Sequence, residues 1–156
     1  MVEGTIAVIY WHATERDLSI GDVIAPGRWG TWLGACGSAH KQWDRETALE
    51  QARLTHRPDA VSRLACAYAF IERPVVDEYM AQGDGSDRLY QVRPVEPEKP
   101  VTHHDMLYVT WLGEVQHNES TREGWRRDYW LGHSTRNPAW EYLFRCGLEV
   151  VARATT

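Results

Sequence analysis

Apolar and polar positions along the chain fall into short, separate patterns. Residues 5–10, TIAVIY, are a mostly β-branched and aromatic run between Gly4 and the polar stretch from His12 to Asp17, which predicts a buried strand with a histidine at its end. Gly21, Pro26, Gly27, Gly30, Gly34 and Gly37 then punctuate a segment whose glycine content predicts an irregular loop, anchored by Trp29 and Trp32. Asp44 is placed to cap a helix over 45–54, with Glu46 in its first turn and Ala48, Leu49 and Ala52 on one face, and Pro58 stops it. Residues 64–70, LACAYAF, predict a strand. Pro74 opens a helix through 75–82 with an apolar stripe of Val75, Val76, Tyr79 and Met80.

A turn at 83–87 leads into a short alternating strand at 89–92 and then the proline-rich loop at 93–100. Residues 106–112 predict another strand. Ser120 and Glu123 have capping-box spacing, and Trp125 and Tyr129 follow at i, i+4, predicting a helix over 121–130 before a closing strand at 148–152. Strands and helices mix without βαβ alternation or internal repeat, so the pattern predicts an α+β fold, in a single domain over 1–156.

Composition narrows the class. Eight Trp, seven Tyr and two Phe in 156 residues exclude a disordered chain and supply one core. No run approaches the roughly 20 apolar residues of a membrane span, and the N-terminus lacks a basic start and a small-residue cleavage site, so no membrane partner is expected. Cys36, Cys66 and Cys146 are an odd, widely spaced set without a CxxC pair, which suits reduced thiols in the cytoplasm. A net charge of −5 disfavours non-specific coating of nucleic acid, yet 15 of the 17 basic residues are Arg, suited to specific phosphate or carboxylate contacts.

Four constellations can carry chemistry. His12 leaves an apolar run into a glycine-rich segment, where its ring and the following amides, at Ala13 and Thr14, can meet one ligand or be satisfied locally. In 58–70, Arg63 is a candidate cation and Tyr68 offers a flat ring, for a heterocycle or for the core. Glu141 sits among Trp140, Tyr142 and Phe144, either as a costly acid in an apolar wall or, by period-two alternation, on the solvent side of an edge strand. Asp105 follows His103 and His104, and no third ligand at zinc-like spacing accompanies that pair, so no metal is expected. The dinucleotide and triphosphate glycine loops and the nucleophile elbow are absent from the sequence.

In order, His12, Tyr68 and Glu141 resemble the His, the aromatic or hydroxyl residue and the late acid of the ADP-ribosyltransferase superfamily. The opening Tyr10-Trp11-His12-Ala13-Thr14, with Asp17-Leu18, Gly21-Asp22 and Pro26-Gly27 after it, is similar to the start of the small rifamycin-modifying ADP-ribosyltransferases. It departs from their Tyr-His-Gly-Thr pattern by the inserted Trp11 and by Ala13 in place of Gly. Ala67-Tyr68-Ala69-Phe70 resembles the second motif, and Arg88 to Pro94 the strand after it. The likeness covers about half the chain, as short islands.

The resemblance implies a split antiparallel β-sheet sandwich with flanking helices and NAD as substrate, with no metal. Ala13, flanked by Thr14, would grip the nicotinamide amide through its backbone, Tyr68 would stack on the ring beside Phe70, His12 would hold a ribose hydroxyl, and Arg63 would meet the pyrophosphate. Glu141, or Asp105 in second place, would steady the oxocarbenium-like transition state. The acceptor is left open among protein, nucleic acid and small molecule, as is a toxin, phage or defence setting. The competing readings are an NAD glycohydrolase, an enzyme similar to RNA 2′-phosphotransferases, and a non-catalytic interaction domain of the same fold.

Overall fold

A computed structural model describes residues 8–83, 85–114 and 117–154. Seven strands, five α-helices and two 3-10 turns are present among them. Strand β1 (Tyr10–Thr14), β4 (Arg88–Pro94), β7 (Leu148–Arg153) and β2 (Val23–Ile24) form one antiparallel sheet in the order β1-β4-β7-β2. Strand β3 (Ala67–Ala69), β6 (Trp140–Phe144) and β5 (Val101–Asp105) form a second, ordered β3-β6-β5 and also antiparallel. One reciprocal bridge joins the two sheets: Trp11 N–H donates to Phe70 C=O at 2.7 Å, and Phe70 N–H to Trp11 C=O at 2.8 Å. The architecture is α+β, with curled antiparallel sheets.

Period-two alternation divides the core. Ala67, Ala69, Phe144, Tyr90, Val92 and Val150 fill the space between the sheets. Tyr68 and Leu143 face the other way, against helix α2 (Trp43–His56), α4 (Leu107–Leu112) and α5 (Glu119–Trp130), with Leu49, Tyr108, Tyr129 and Trp130. Helix α3 (Arg73–Ala81) covers a third cluster of Phe70, Val76, Leu89 and Met106. No helix among the described residues is long and apolar enough to cross a membrane.

Several elements differ from the sequence expectation. The first strand is Tyr10–Thr14, with His12 at its centre, because its ladder partners lie along Arg88–Val92; residues 5–7 lie outside the described residues. The glycine-rich segment holds helix α1 (Arg28–Cys36), whose Leu33 is buried. Residues 107–112 are helical, because Asp105 Oδ1 accepts the Leu107 N–H at 3.1 Å and Tyr108, Val109 and Leu112 are spaced for one helical face. Arg63–Ala65 is a 3-10 turn, which shortens the expected strand to Ala67–Ala69. Strand β5 forms at the end of the proline-rich loop, and helix α5 is capped by Asn118, whose Oδ1 accepts from Thr121 N–H, rather than by Ser120.

Gly30 has a packing reason to be glycine within α1. An added Cβ there would run into the carbonyl of Leu64, with the carbonyl carbon at 2.8 Å, so this glycine lets α1 lie directly on the Arg63–Ala65 turn. Gly30→Ala is expected to destabilise the protein by about 1–3 kcal/mol, through a forced backbone shift, despite the better helix propensity of Ala. A urea denaturation midpoint at or above that of the wild type would refute this packing account.

Candidate functional site

The two sheets part immediately beyond the Trp11–Phe70 bridge. An uninterrupted antiparallel ladder would next pair Ala13 with Tyr68. Instead Tyr68 C=O accepts a 2.7 Å hydrogen bond from His12 Nδ1–H. Trp11 turns its backbone groups toward β3, and Ala13, two residues on, repeats that direction. On the far strand Leu89 C=O is used by Ala154 N–H, so the Ala13–Leu89 pair is not hydrogen-bonded. The N–H and C=O of Ala13 therefore point to the β3 side of β1, beyond the end of the bridge, with no partner among the described residues.

His12 is half-buried. Desolvation lowers its pKa from the ordinary value, the Tyr68 carbonyl opposes this, and Arg16 and Arg28 push it further down. Its stable form at neutral pH is the uncharged ring with the proton on Nδ1, which leaves the Nε2 lone pair as an acceptor. No side-chain or backbone group among the described residues uses that nitrogen.

Behind Tyr68 lies a buried ionic cluster. Arg63 donates from Nε to Glu46 Oε2 at 3.0 Å and from Nη2 to Glu46 Oε1 at 3.1 Å, a two-pronged pairing. Its Nη1 donates to Glu141 Oε1 and, at 2.9 Å, to Tyr129 Oη. Tyr129 O–H in turn donates to Glu141 Oε1 at 2.6 Å, and Arg45 reaches Glu46 at 3.0 Å. Burial alone would lower the Arg63 pKa, but Glu141 and Glu46 hold it well above the ordinary value. Burial opposes ionisation of Glu46 as well, and Arg63 and Arg45 overcome it, leaving its pKa below the ordinary value. The Tyr68 hydroxyl donates to Arg63 C=O at 2.6 Å, and its ring lies 5.3 Å from the Arg63 guanidinium carbon. Contacts thus run unbroken from His12 through Tyr68 and Arg63 to Glu141.

That arrangement changes the role expected of Arg63 and the surroundings expected of Glu141. Arg63, 7% exposed, is spent on the two carboxylates and Tyr129, so its fork is not free to meet a pyrophosphate. Glu141 does lie opposite Trp140 and Tyr142 in the alternation, yet β6 is the central strand of its sheet and that face is covered, leaving the residue 2% exposed. Only Oε1 is bonded. Oε2 of Glu141 has no hydrogen-bond partner among the described residues, and only a sliver of the side chain is accessible.

The other predicted residues are engaged locally. Asp105, fully buried, accepts backbone N–H groups from Leu107, Thr135 and Ala139 and pins the start of α4 to the segment before β6. The Phe70 ring is core, 5.4 Å from that of Tyr79. Thr14 Oγ1 accepts the Arg16 N–H at the end of β1. His104 donates from Nδ1 to Tyr129 C=O and accepts at Nε2 from Thr102, and burial takes its pKa down to about 3, so it is a neutral core histidine. His103 packs between Trp140 and Tyr142. No group of three potential metal ligands gathers among the described residues.

Sequence reasoning missed Arg16 and Arg28, the two cations whose field reaches His12, and Glu46 and Tyr129 in the buried cluster. Arg28 stands at the first position of α1, directly after the left-handed Gly27, whose N–H is held by Cys66 C=O. Reading the glycine-rich segment as a loop hid that placement. Two shallow concavities, of about 150 Å³ at Asp87–Tyr90 with Arg153 and about 240 Å³ between α3 and the chain before β6, are lined by none of the predicted site residues. His12 and Ala13 instead lie at the seam between the sheets, and the Arg63 cluster lies behind Tyr68 on the helix-covered face. No protein-family model matches the chain, and no curated protein matches it significantly.

Proposed function

We propose that the protein is an NAD-dependent ADP-ribosyltransferase, with its substrate seated where β1 and β3 separate and with the split-sheet architecture of that superfamily. The observation that carries this reading is the unpaired N–H and C=O of Ala13, a donor and an acceptor on one extended residue, complementary to the carbonyl and amino group of a carboxamide. The nicotinamide amide is such a group. His12 Nε2 is an acceptor for a ribose hydroxyl, and the half-buried Tyr68 supplies an aromatic wall. Arg16 and Arg28 take the role of pyrophosphate cations that Arg63 cannot fill.

In the reaction, the bond between ribose C1′ and the nicotinamide nitrogen breaks and its electron pair leaves with neutral nicotinamide. Positive charge spreads over C1′ and the ring oxygen, where a carboxylate lowers the barrier. An acceptor nucleophile then bonds to C1′ and releases its proton to solvent. Glu141, with one oxygen anchored and the other without a hydrogen bond among the described residues, is the carboxylate suited to this step. The acceptor is a protein, nucleic acid or small molecule, with water giving glycohydrolase activity. The described cysteines are free thiols, and the cytoplasm suits them.

A second reading, a binding domain that does not transfer, is favoured by one observation: Glu141 and Asp105 are both nearly fully enclosed. Incubation with NAD labelled in the nicotinamide ring, with and without cell extract, separates the two. Release of labelled nicotinamide is the expected result. Binding of NAD by calorimetry without release favours the second reading, and neither binding nor release refutes both.

A further inference from the structure

Resting on the transferase reading, we infer that Glu46 and Tyr129 are positioning residues that act through Arg63 to present Glu141 with one oxygen held and the other free. The sequence pattern places both on helices and gives neither a chemical role. The geometry makes the case by which donor meets which oxygen. A guanidinium has two forked edges, Nε with one Nη and the pair of Nη groups. Here Glu46, with no exposed surface, occupies the edge of Nε and Nη2 and fixes the Arg63 plane, and in that orientation Nη1 is the atom that bonds Glu141. Tyr129 closes the arrangement, since it accepts from the same Nη1 and donates to the same Oε1. Both donors therefore converge on Oε1, and Oε2 has no partner among the described residues.

Without Glu46 the Arg63 fork is free to turn and take both oxygens of Glu141, which removes the unbonded one. Without the Tyr129 hydroxyl, Oε1 loses one of its two anchors and the carboxylate can rotate. Charge balance within the cluster supports a built device, because Arg63 and Arg45 offset Glu46 and Glu141 one for one. Tyr129 also carries the ring that stacks on His104 at 4.6 Å, so removing only its hydroxyl leaves that packing in place.

The test uses the full chain and NAD labelled in the nicotinamide ring, comparing wild type with Tyr129→Phe, Glu46→Gln and Glu141→Gln, each checked for folding by thermal denaturation. Tyr129→Phe is the deciding variant if Glu46→Gln does not fold. The expected result is a kcat for nicotinamide release at least about tenfold lower in Tyr129→Phe and in Glu46→Gln, with KM for NAD within about twofold of wild type. Combination of either with Glu141→Gln should cause no further loss, since all three act on one carboxylate. Wild-type kcat in a folded Tyr129→Phe, or a loss that multiplies with that of Glu141→Gln, overturns the inference and leaves the transferase reading standing. Wild type that binds NAD and releases no nicotinamide overturns the reading itself, and the inference with it.

Discussion

Arg63→Met is expected to cost about 3–5 kcal/mol of unfolding free energy at pH 7, the range for breaking a buried ion pair by removing one partner. Two enclosed carboxylates, Glu46 and Glu141, lose their common counter-ion at once, while the side chain that replaces it has similar length and no charge. The deficit must depend on pH, and its sign follows from Glu46. In the wild type the Glu46 pKa lies below the ordinary value of 4.5, so its contribution is complete above that value and is lost as pH falls through the lower, folded-state value. In Arg63→Met the burial that previously opposed ionisation acts with only Arg45 against it, the Glu46 pKa rises, and the variant loses stability as pH rises. The gap between wild type and variant therefore narrows from pH 7 to pH 5. Urea denaturation across that interval measures it, and an equal deficit at both ends would mean that packing rather than charge is responsible.

Legibility of this chain in sequence follows how local each cause is. Helices α2 and α3 carry their signals within a few residues: a periodic apolar face in one, Pro74 at the start and the Val75–Val76–Tyr79–Met80 stripe in the other. Strands β4 and β7 alternate plainly and pair with each other. Helix α1 was hidden, because the usual meaning of repeated glycine is a turn, whereas Gly30 serves a contact with Leu64 that lies 34 positions away (64 − 30). Helix α4 was hidden for a similar reason. Its apolar run is too short for periodicity to choose between strand and helix, and the choice is made by the Asp105 carboxylate holding Leu107 N–H.

The candidate site divides along the same line. His12, Ala13 and Tyr68 were readable as residue types in order, but the feature that joins them, a ladder that stops after one bridge, is a property of two strands together. Arg63 and Glu141 were both singled out and given separate ligands. What the sequence does not display is that Glu46, 17 residues before Arg63, claims the guanidinium first. An acid in the first turn of a helix reads as a favourable partner of the helix dipole, and nothing in its neighbours announces that it points inward.

Glu141→Gln is expected to lower kcat for nicotinamide release by about 10²–10³-fold, the scale for removing one stabiliser of transition-state charge, with NAD affinity changed by less than about threefold. The substitution is nearly isosteric. Its amide oxygen still accepts from Arg63 Nη1 and Tyr129 O–H at the Oε1 position, and its amino group replaces the unbonded Oε2. Anchoring and shape are thus retained while the negative charge at the unbonded position is lost, so the effect falls on the charged transition state and spares the bound substrate. Asp105→Asn is the counterpart. Its oxygens hold three backbone N–H groups, and an amide keeps only part of that set, so the expected loss there is in thermal stability, with release per folded molecule close to wild type. Measured side by side on labelled NAD, the pair assigns the acid: release abolished in Asp105→Asn and intact in Glu141→Gln would move the carboxylate role to the end of β5 and make the buried cluster around Arg63 a matter of stability alone.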